Sequence, residues 1–204
     1  MRHNQDKATA LLNDKQLWRA FKKGNREAYA AIYHQHIRVL FSYGSKLSDE
    51  RDLVKDCIQD LFYYLWEHRT SLGDTDNIRH YLFIALRRNI ITQIKKASSQ
   101  ELALNQSPLV PSYESEWIHQ QTSESHQLNL KQLLEALPDR QQEAVFLKYY
   151  QNKNTDEIAE VMNINRRSVY KLLTKAIHNL KQAWPSSVPM KIATIIWLIY
   201  LAIF

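Results

Sequence analysis

The chain has 204 residues, of which 45% are apolar, and it carries a formal net charge of +6. This length accommodates one domain or two small ones. A single cysteine, Cys57, excludes an internal disulfide and a cysteine-based zinc site, and favours a reducing, cytoplasmic compartment. Three glycines provide no phosphate-binding loop, and the eight histidines do not stand at metal-ligand spacing. The sequence therefore predicts no metal, no cofactor and no catalytic site.

Charge is divided into blocks along the chain. Residues 15–96 contain 15 Lys and Arg against nine Asp and Glu, and residues 140–182 contain eight against four. Between them, residues 97–130 contain four Glu and no Lys or Arg. Two basic blocks separated by an acidic strip predict two small domains that bind a polyanion.

The first block has the pattern of consecutive helices. After residues 1–14, which we expect to be flexible, apolar residues recur at spacings of three and four, as in helices rather than strands. The pattern predicts a helix from about Asp14, a turn at Gly24 and Asn25, and a second helix that ends near Gly44.

The helix predicted from Asp49 to about His68 has two contrasting faces. One face is broad and apolar, and it includes Cys57 as a small core residue. The opposite face is acidic with an aromatic tip, and it consists of Asp52, Asp56, Gln59, Asp60, Tyr63 and Glu67. Two interpretations are open from the residues alone: the solvated side of an ordinary surface helix, or a protein docking surface.

A loop at Arg69–Asn77 precedes a helix predicted from Ile78 to about Ala97. Its polar side is basic and carries no acid, and Tyr81 and Phe83 lie among the basic residues. This combination is typical of a surface that follows a nucleic-acid backbone and stacks bases, although an ordinary basic helix has the same pattern.

Residues 98–126 are rich in Ser and lack positive charge, which predicts a flexible acidic linker. A helical pattern resumes over Leu128–Leu137 and breaks at Pro138. A further helix is predicted from Arg140 to Tyr150, and we expect its apolar residues to pack under the elements that follow.

The stretch Asn154–Gln182 has the pattern of two helices joined by a tight turn. Thr155 is a suitable N-cap for the first helix, Asn163 can adopt the left-handed conformation that ends it, and Asn165 can cap the second. The second helix contains no acid, and its basic residues are Arg166, Arg167, Lys171, Lys175 and Lys181. The pattern predicts a helix-turn-helix with a basic recognition helix, against the alternative of a charged helix hairpin.

The C-terminal residues 192–204 are apolar except for Thr194. A helix of this length would span about 20 Å. The hydrocarbon core of a bilayer is about 30 Å thick, so we expect no transmembrane helix. A hydrophobic hook for a partner, a segment that folds back on the protein and a shallow membrane contact all stay open.

The sequence resembles bacterial sigma factors of the extracytoplasmic-function group, the short two-domain members of the sigma-70 family, in five segments that occur in the same order. The segments are GNREAYAAIY from Gly24, DCIQDLFYYLW from Asp56, YLFIALRRN from Tyr81, LPDRQQEAVFL from Leu137 and DEIAEVMNINRRSV from Asp156. The resemblance covers about residues 17–182 and leaves the apolar tail unexplained. One departure is Asn163, where the family usually has Gly, and Asn tolerates the same backbone conformation.

The resemblance implies an all-α fold of two small helical domains joined by a flexible acidic linker, with a helix-turn-helix in the second domain. A domain like sigma region 2 is expected at 15–97, the linker at 98–126 and a domain like sigma region 4 at 127–183. Residues 1–14 form the flexible N-terminus, and residues 184–204 form the apolar tail.

The resemblance also implies three binding surfaces. The first docks on core RNA polymerase, and its residues are Asp56, Gln59, Asp60 and Tyr63. The second captures and melts the downstream (minus-ten) promoter element beside the loop at 69–77, and its residues are Arg79, His80, Phe83, Arg87, Arg88 and Asn89. The third lies in or beside the major groove of the upstream (minus-thirty-five) element, and its residues are Arg166, Arg167, Ser168, Tyr170, Lys171 and Lys175. The acidic linker is expected to thread the RNA channel of the polymerase.

We therefore predict a non-enzymatic, cytoplasmic sigma factor that binds core RNA polymerase and promoter DNA and helps to melt the DNA. The family also implies an anti-sigma partner and no small-molecule substrate. One alternative is a stand-alone helix-turn-helix regulator, which would bind duplex operator DNA without polymerase. The other is a helical adaptor whose apolar tail contacts the membrane.

Overall fold

The computed structural model describes residues 13–104 and 131–183, with side chains over 13–97 and 131–183. Every regular element in these ranges is helical, which confirms the predicted all-α class. The chain divides into two compact units, one made of residues 1–100 and 159–163 and the other of residues 101–158 and 164–204. The apolar tail, residues 1–12 of the predicted N-terminal segment and residues 105–126 of the predicted linker lie outside the described residues.

The first unit contains four successive helices, α1 (Asp14–Lys22), α2 (Arg26–Gly44), α3 (Arg51–His68) and α4 (Ile78–Leu104). Helix α1 packs on α2, and α2 packs on α3. The largest fully buried side chains are aromatic or branched, and they include Trp18, Phe21, Tyr43, Phe83 and Leu65. Burial of these apolar surfaces stabilises the unit.

Asparagine caps set the starts of α1 and α2. Asn13 and Gln16 form a reciprocal capping box, in which each side chain accepts a hydrogen bond from the backbone N–H of the other. Asn25 accepts from the N–H of Ala28 at 2.8 Å, and Gly24 before it has φ +86°. These contacts confirm the predicted turn at Gly24 and Asn25, because a left-handed residue followed by a cap reverses the chain between two helices.

Two boundaries differ from the prediction. Helix α3 begins at Arg51 instead of Asp49, because the Ser48 hydroxyl accepts a hydrogen bond from the N–H of Glu50 and holds the chain in a turn before the helix. Helix α4 continues to Leu104, beyond the predicted end near Ala97, and so includes the first residues of the predicted linker. The serines that suggested a linker cost a helix only about 0.5 kcal/mol each, and good helix formers follow them.

In the second unit, residues 131–135 are helical, and three further helices follow Pro138. These are α5 (Asp139–Val145), α6 (Thr155–Met162) and α7 (Arg166–Ala183), and α5 packs against α7. The continuous helix predicted to end at Tyr150 is wrong in its last turn, since Phe146–Tyr150 adopts a wider π-helical turn. This turn buries Phe146 and leaves Tyr150 61% exposed.

The first helix of the predicted helix-turn-helix is capped by Asn154, not by Thr155. The Asn154 side chain accepts from the N–H groups of Asp156 and Glu157, both at 2.9 Å, and Glu157 accepts from the Asn154 N–H. Both Asn and Thr are good caps, and the carboxylate three residues after Asn154 completes a capping box there. The turn itself is as predicted: Asn163 has φ 50°, and Asn165 accepts from the N–H of Ser168.

None of the described helices is long and apolar enough to cross a membrane.

Candidate nucleic-acid and polymerase interfaces

Helix α7 separates a buried apolar face from an exposed basic face. Val169, Leu173, Ala176 and Ile177 are buried, which fixes the orientation of the helix. The basic side chains are all exposed, and they are Arg166, Arg167, Lys171, Lys175 and Lys181. Ser168 and Tyr170 are half-buried beside them. Such a face presents cations to a polyanion without any rearrangement of the helix.

Arg166, the first residue of α7, is held by two neighbours. Its Nη1 atom lies 3.4 Å from Oδ1 of Asp156, in the first turn of α6. Its guanidinium lies 5.8 Å from the centre of the Tyr170 ring, and Nη2 donates to the phenol oxygen at 3.4 Å. This hydrogen bond lowers the pKa of Tyr170. The side chain is therefore oriented before any ligand arrives.

The predicted polymerase-binding residues of α3 form one exposed strip. Asp56, Gln59, Asp60 and Tyr63 are all exposed, and Tyr63 is 67% exposed. The helix is anchored from its other face by buried residues such as Ile58 and Leu61. We call these four exposed residues the acidic ridge.

Cys57 lies on the buried side of α3, as predicted. Burial, followed by the charges of Asp60 and Asp56, raises the pKa of its thiol to about 11. A thiol with this pKa is almost entirely protonated at neutral pH, so Cys57 is a core residue and not a nucleophile.

The basic side of α4 is only partly accessible. Arg79 and Arg88 are exposed, whereas His80 and Arg87 are half-buried. The backbone N–H of His80 donates to the side chain of Asn77, which caps the start of the helix. Two arginines thus remain fully available to a phosphate backbone on this face.

The predicted stacking role of Phe83 is wrong. Phe83 is fully buried, and its ring centre lies 4.8 Å from that of Tyr43. Ile78, Leu82 and Leu86 are also fully buried, and Phe83 projects from the same side of α4. A base could reach this ring only if the core opened.

Asn89, which is predicted to contact DNA, is half-buried and already has a partner within the unit. Its side-chain amide donates to the backbone carbonyl of Cys57 at 3.1 Å. This bond ties α4 to α3, where it satisfies a carbonyl that water cannot easily reach.

The loop at 69–77 is joined to α1. Trp18 donates its indole N–H to the carbonyl of Gly73, and Lys22 forms an ion pair with Asp74. The prediction did not include these α1 residues. No local sequence pattern identifies them, because the partners lie 55 and 52 residues apart along the chain.

Comparisons with known proteins find similarity to sigma factors. The profile of the family described as sigma-70, region 4 matches residues 127–180. The ECF RNA polymerase sigma factor SigM of Bacillus subtilis is 25% identical over 154 residues, which cover 74% of this chain and 91% of SigM. SigL of Mycobacterium tuberculosis, also an ECF RNA polymerase sigma factor, is 31% identical over 68 residues, 33% of this chain and 38% of SigL.

Two solved structures share the fold. The sigma factor RpoE of Bartonella quintana, in complex with the anti-sigma factor NepR, superposes with a TM-score of 0.62 and 18% identity. The match covers 76% of this chain and 96% of RpoE. CnrH, in complex with the cytosolic domain of CnrY, gives a TM-score of 0.57 with 17% identity over 84% of this chain and 96% of CnrH.

The region 4 profile covers the helix-turn-helix with its basic α7, and SigM extends the likeness over most of the chain. The helical fold agrees with both. Residues 127–180 therefore belong to the sigma-70 region 4 family, and most of the chain is similar to an RNA polymerase sigma factor of the extracytoplasmic-function group.

Proposed function

We propose that this protein is a sigma factor that directs core RNA polymerase to promoters through three separate surfaces on its two units. The observation that carries the proposal is the exposed basic face of α7 within the helix-turn-helix that the region 4 profile matches. A sigma factor is not an enzyme, since the polymerase forms the phosphodiester bonds. RNA polymerase and promoter DNA are cytoplasmic in bacteria, so a protein that binds both acts in the cytoplasm.

The upstream surface consists of the N-terminal half of α7. Arg166 and Arg167 stand at the end of the helix that enters the major groove in helix-turn-helix proteins, where arginine can bind guanine through two hydrogen bonds. Lys171 and Lys175 follow on the exposed face and suit phosphates. Ser168 and Tyr170 complete this surface.

The downstream surface consists of the loop at 69–77 and the accessible part of α4. Arg79 and Arg88 would follow the DNA backbone, with Arg87 and His80 at the edge of the surface. Phe83 belongs to the core and has no part in it, and Asn89 is half-buried at its edge. The exposed loop would hold a nucleotide that leaves the base stack when the duplex melts.

The acidic ridge of α3 docks on the polymerase. Two carboxylates, an amide and a tyrosine on one exposed strip combine charge complementarity with an aromatic anchor, the features that interfaces favour. We propose further that the acidic residues after α4 follow the RNA channel, and that an anti-sigma factor binds the protein and holds it inactive. The solved complex of RpoE with the anti-sigma factor NepR supports such a partner.

A reconstituted run-off transcription assay tests the proposal. Purified bacterial core polymerase is incubated with a pool of genomic promoter fragments, with and without the full-length protein. We expect discrete transcripts that require the protein. Binding to duplex fragments without polymerase, and no dependent transcript, would instead support a stand-alone regulator.

A further inference from the structure

Side chains of helix α1 bind the middle of the loop at 69–77. The buried indole N–H of Trp18 donates to the carbonyl of Gly73 at 2.9 Å. One turn further along α1, the ammonium group of Lys22 lies 2.7 Å from the carboxylate of Asp74. Two successive loop residues are therefore fixed by one rigid helix, the first by a neutral hydrogen bond and the second by a charged one.

Both ends of the loop are fixed as well. At the C-terminal end, Asp14 accepts a hydrogen bond from the N–H of Ile78 at 2.9 Å, so α1 also holds the first residue of α4. At the N-terminal end, the guanidinium of Arg69 lies over the ring of Trp66 at 4.6 Å and donates to the Trp66 carbonyl at 2.6 Å. The chain between these points has little freedom to change its path.

The outer side of the loop remains exposed while its backbone is fixed. Gly73 is exposed, and a Cβ atom added there would have no neighbour within 4 Å. The side chain of Asp74 is 71% exposed even though it is paired, while Lys22 is only 22% exposed. A fixed backbone with an open outer side is the arrangement that a binding loop needs, because the entropy of ordering is lost before the ligand binds.

We propose that Trp18 and Lys22 are positioning residues that hold the loop at 69–77 in the conformation that selects a base of the downstream promoter element. Neither side chain contacts DNA, and each acts through the loop. The inference rests on the proposed role of this loop in promoter opening, and it adds α1 to the residues that determine specificity.

The test measures base selection by the full-length protein with core polymerase. A promoter identified by run-off transcription is randomised across its downstream element, and the transcribed templates are sequenced. Lys22→Met removes the ion pair and keeps the length of the side chain. Because an ion pair at this exposure contributes modestly, we expect base discrimination to fall by about twofold to fivefold. Polymerase affinity should stay unchanged, because the acidic ridge is intact.

Four further variants make the result specific. Lys23→Met removes the same charge from the exposed neighbouring residue and should leave discrimination unchanged. Lys22→Arg should restore it, and so should the exchanged pair Lys22→Asp with Asp74→Lys. Trp18→Phe keeps an aromatic ring in the core, removes the N–H donor to Gly73 and should also reduce discrimination. A purely structural role for Lys22 would change thermal stability and leave the base preference as it is.

Different results would overturn the positioning role of Trp18 and Lys22 and the base-selecting role of the loop. Unchanged discrimination in a folded Lys22→Met variant, together with unchanged discrimination in Trp18→Phe, would overturn the positioning role. If the variant Thr70→Ala with Ser71→Ala, changed at two exposed loop positions, selects the same downstream bases as the wild type, the proposed role of the loop itself is wrong.

Discussion

The carboxylate of Asp156 and the guanidinium of Arg166 lie 3.4 Å apart across the turn of the helix-turn-helix. Arg166 is the first residue of α7, and Asp156 is in the first turn of α6. The carboxylate of Asp156 therefore limits the orientations of the Arg166 side chain. We expect both residues to affect how the upstream promoter element is recognised.

Arg166→Ala should reduce transcription from dependent promoters by about tenfold or more, with the largest loss at one base pair of the upstream element, since a bidentate arginine contact discriminates by about 1–3 kcal/mol. Lys175→Ala is the matched control, because loss of a phosphate contact weakens binding to all sequences similarly. Run-off transcription on single-base promoter variants measures both. An equal loss of polymerase binding in Arg166→Ala would contradict the assigned role.

Asp156→Ala should broaden the base preference while raising affinity for DNA of any sequence. Removal of the carboxylate frees the arginine and also removes a negative charge near the phosphates. Electrophoretic mobility shifts with holoenzyme on cognate and scrambled promoters give the ratio of the two affinities. A ratio equal to that of the wild type would show that Asp156 does not orient Arg166 on DNA.

Reversal of the acidic ridge should abolish polymerase binding without loss of fold. Asp56 and Asp60 are exposed, so Asp56→Arg with Asp60→Arg removes no packing. Like charges opposed across an interface cost several kcal/mol, which corresponds to more than a hundredfold in affinity. Pull-down with core polymerase and thermal unfolding measure the two effects. Asp49→Arg with Glu50→Arg makes the same charge change before α3 begins and should retain binding.

The buried ring of His36 should make the stability of the first unit fall in mild acid. The ring is 4% exposed, and neither of its nitrogens has a hydrogen-bonding partner among the described residues. Burial, and then the charge of Arg79, lowers its pKa, while the more weakly acting Asp14 raises it. The unfolded chain therefore takes up a proton first, and stability falls as the pH drops below about 6.5.

Thermal unfolding at about pH 7.5 and about pH 5.5 measures this dependence, because histidine changes charge in that window. His36→Gln should reduce the difference between the two melting temperatures. His34→Gln, at an exposed position on the same helix, should leave it as in the wild type. An identical pH dependence in all three proteins would assign it to other groups.

Gly44→Ala should destabilise the first unit. A Cβ atom at this position would lie 2.5 Å from Cγ1 of Val54 and 3.3 Å from Cδ1 of Ile90, both in the core. Overpacking of this kind costs about 1–3 kcal/mol. The gain in helix propensity from Gly to Ala offsets up to about 1 kcal/mol of it. Gly73→Ala, where a Cβ has open space, should change the melting temperature little.

Helical periodicity predicted the elements whose faces differ clearly. In α3 and α7, polar and apolar residues separate at spacings of three and four, so the exposed strips at Asp56 and Arg166 follow directly from the sequence. The buried face of helix α4 is harder to predict, because apolar residues occur on more than one side of the helix. The pattern therefore places Phe83 on the nucleic-acid surface although it lies in the core, and it does not identify Leu86 as buried.

Contacts between distant parts of the chain could not be predicted at all. The pairing of Lys22 with Asp74 depends on where α1 lies relative to the loop, and no periodicity reports that. The cap of α6, in contrast, has a local signal: Asn154 and Thr155 are both suitable caps, but only Asn154 has a carboxylate three residues later, at Glu157.

The attachment of the loop to α1 has a consequence for the order of folding. Its partners are separated by 52 to 64 residues, so closing these contacts costs more chain entropy than forming contacts within one helix. An amphipathic helix such as α3 depends more on neighbours in sequence. If the loop selects a base as proposed, we expect base selection to be acquired late in folding, and a chain that engages polymerase before these contacts close should start transcription at the wrong sites.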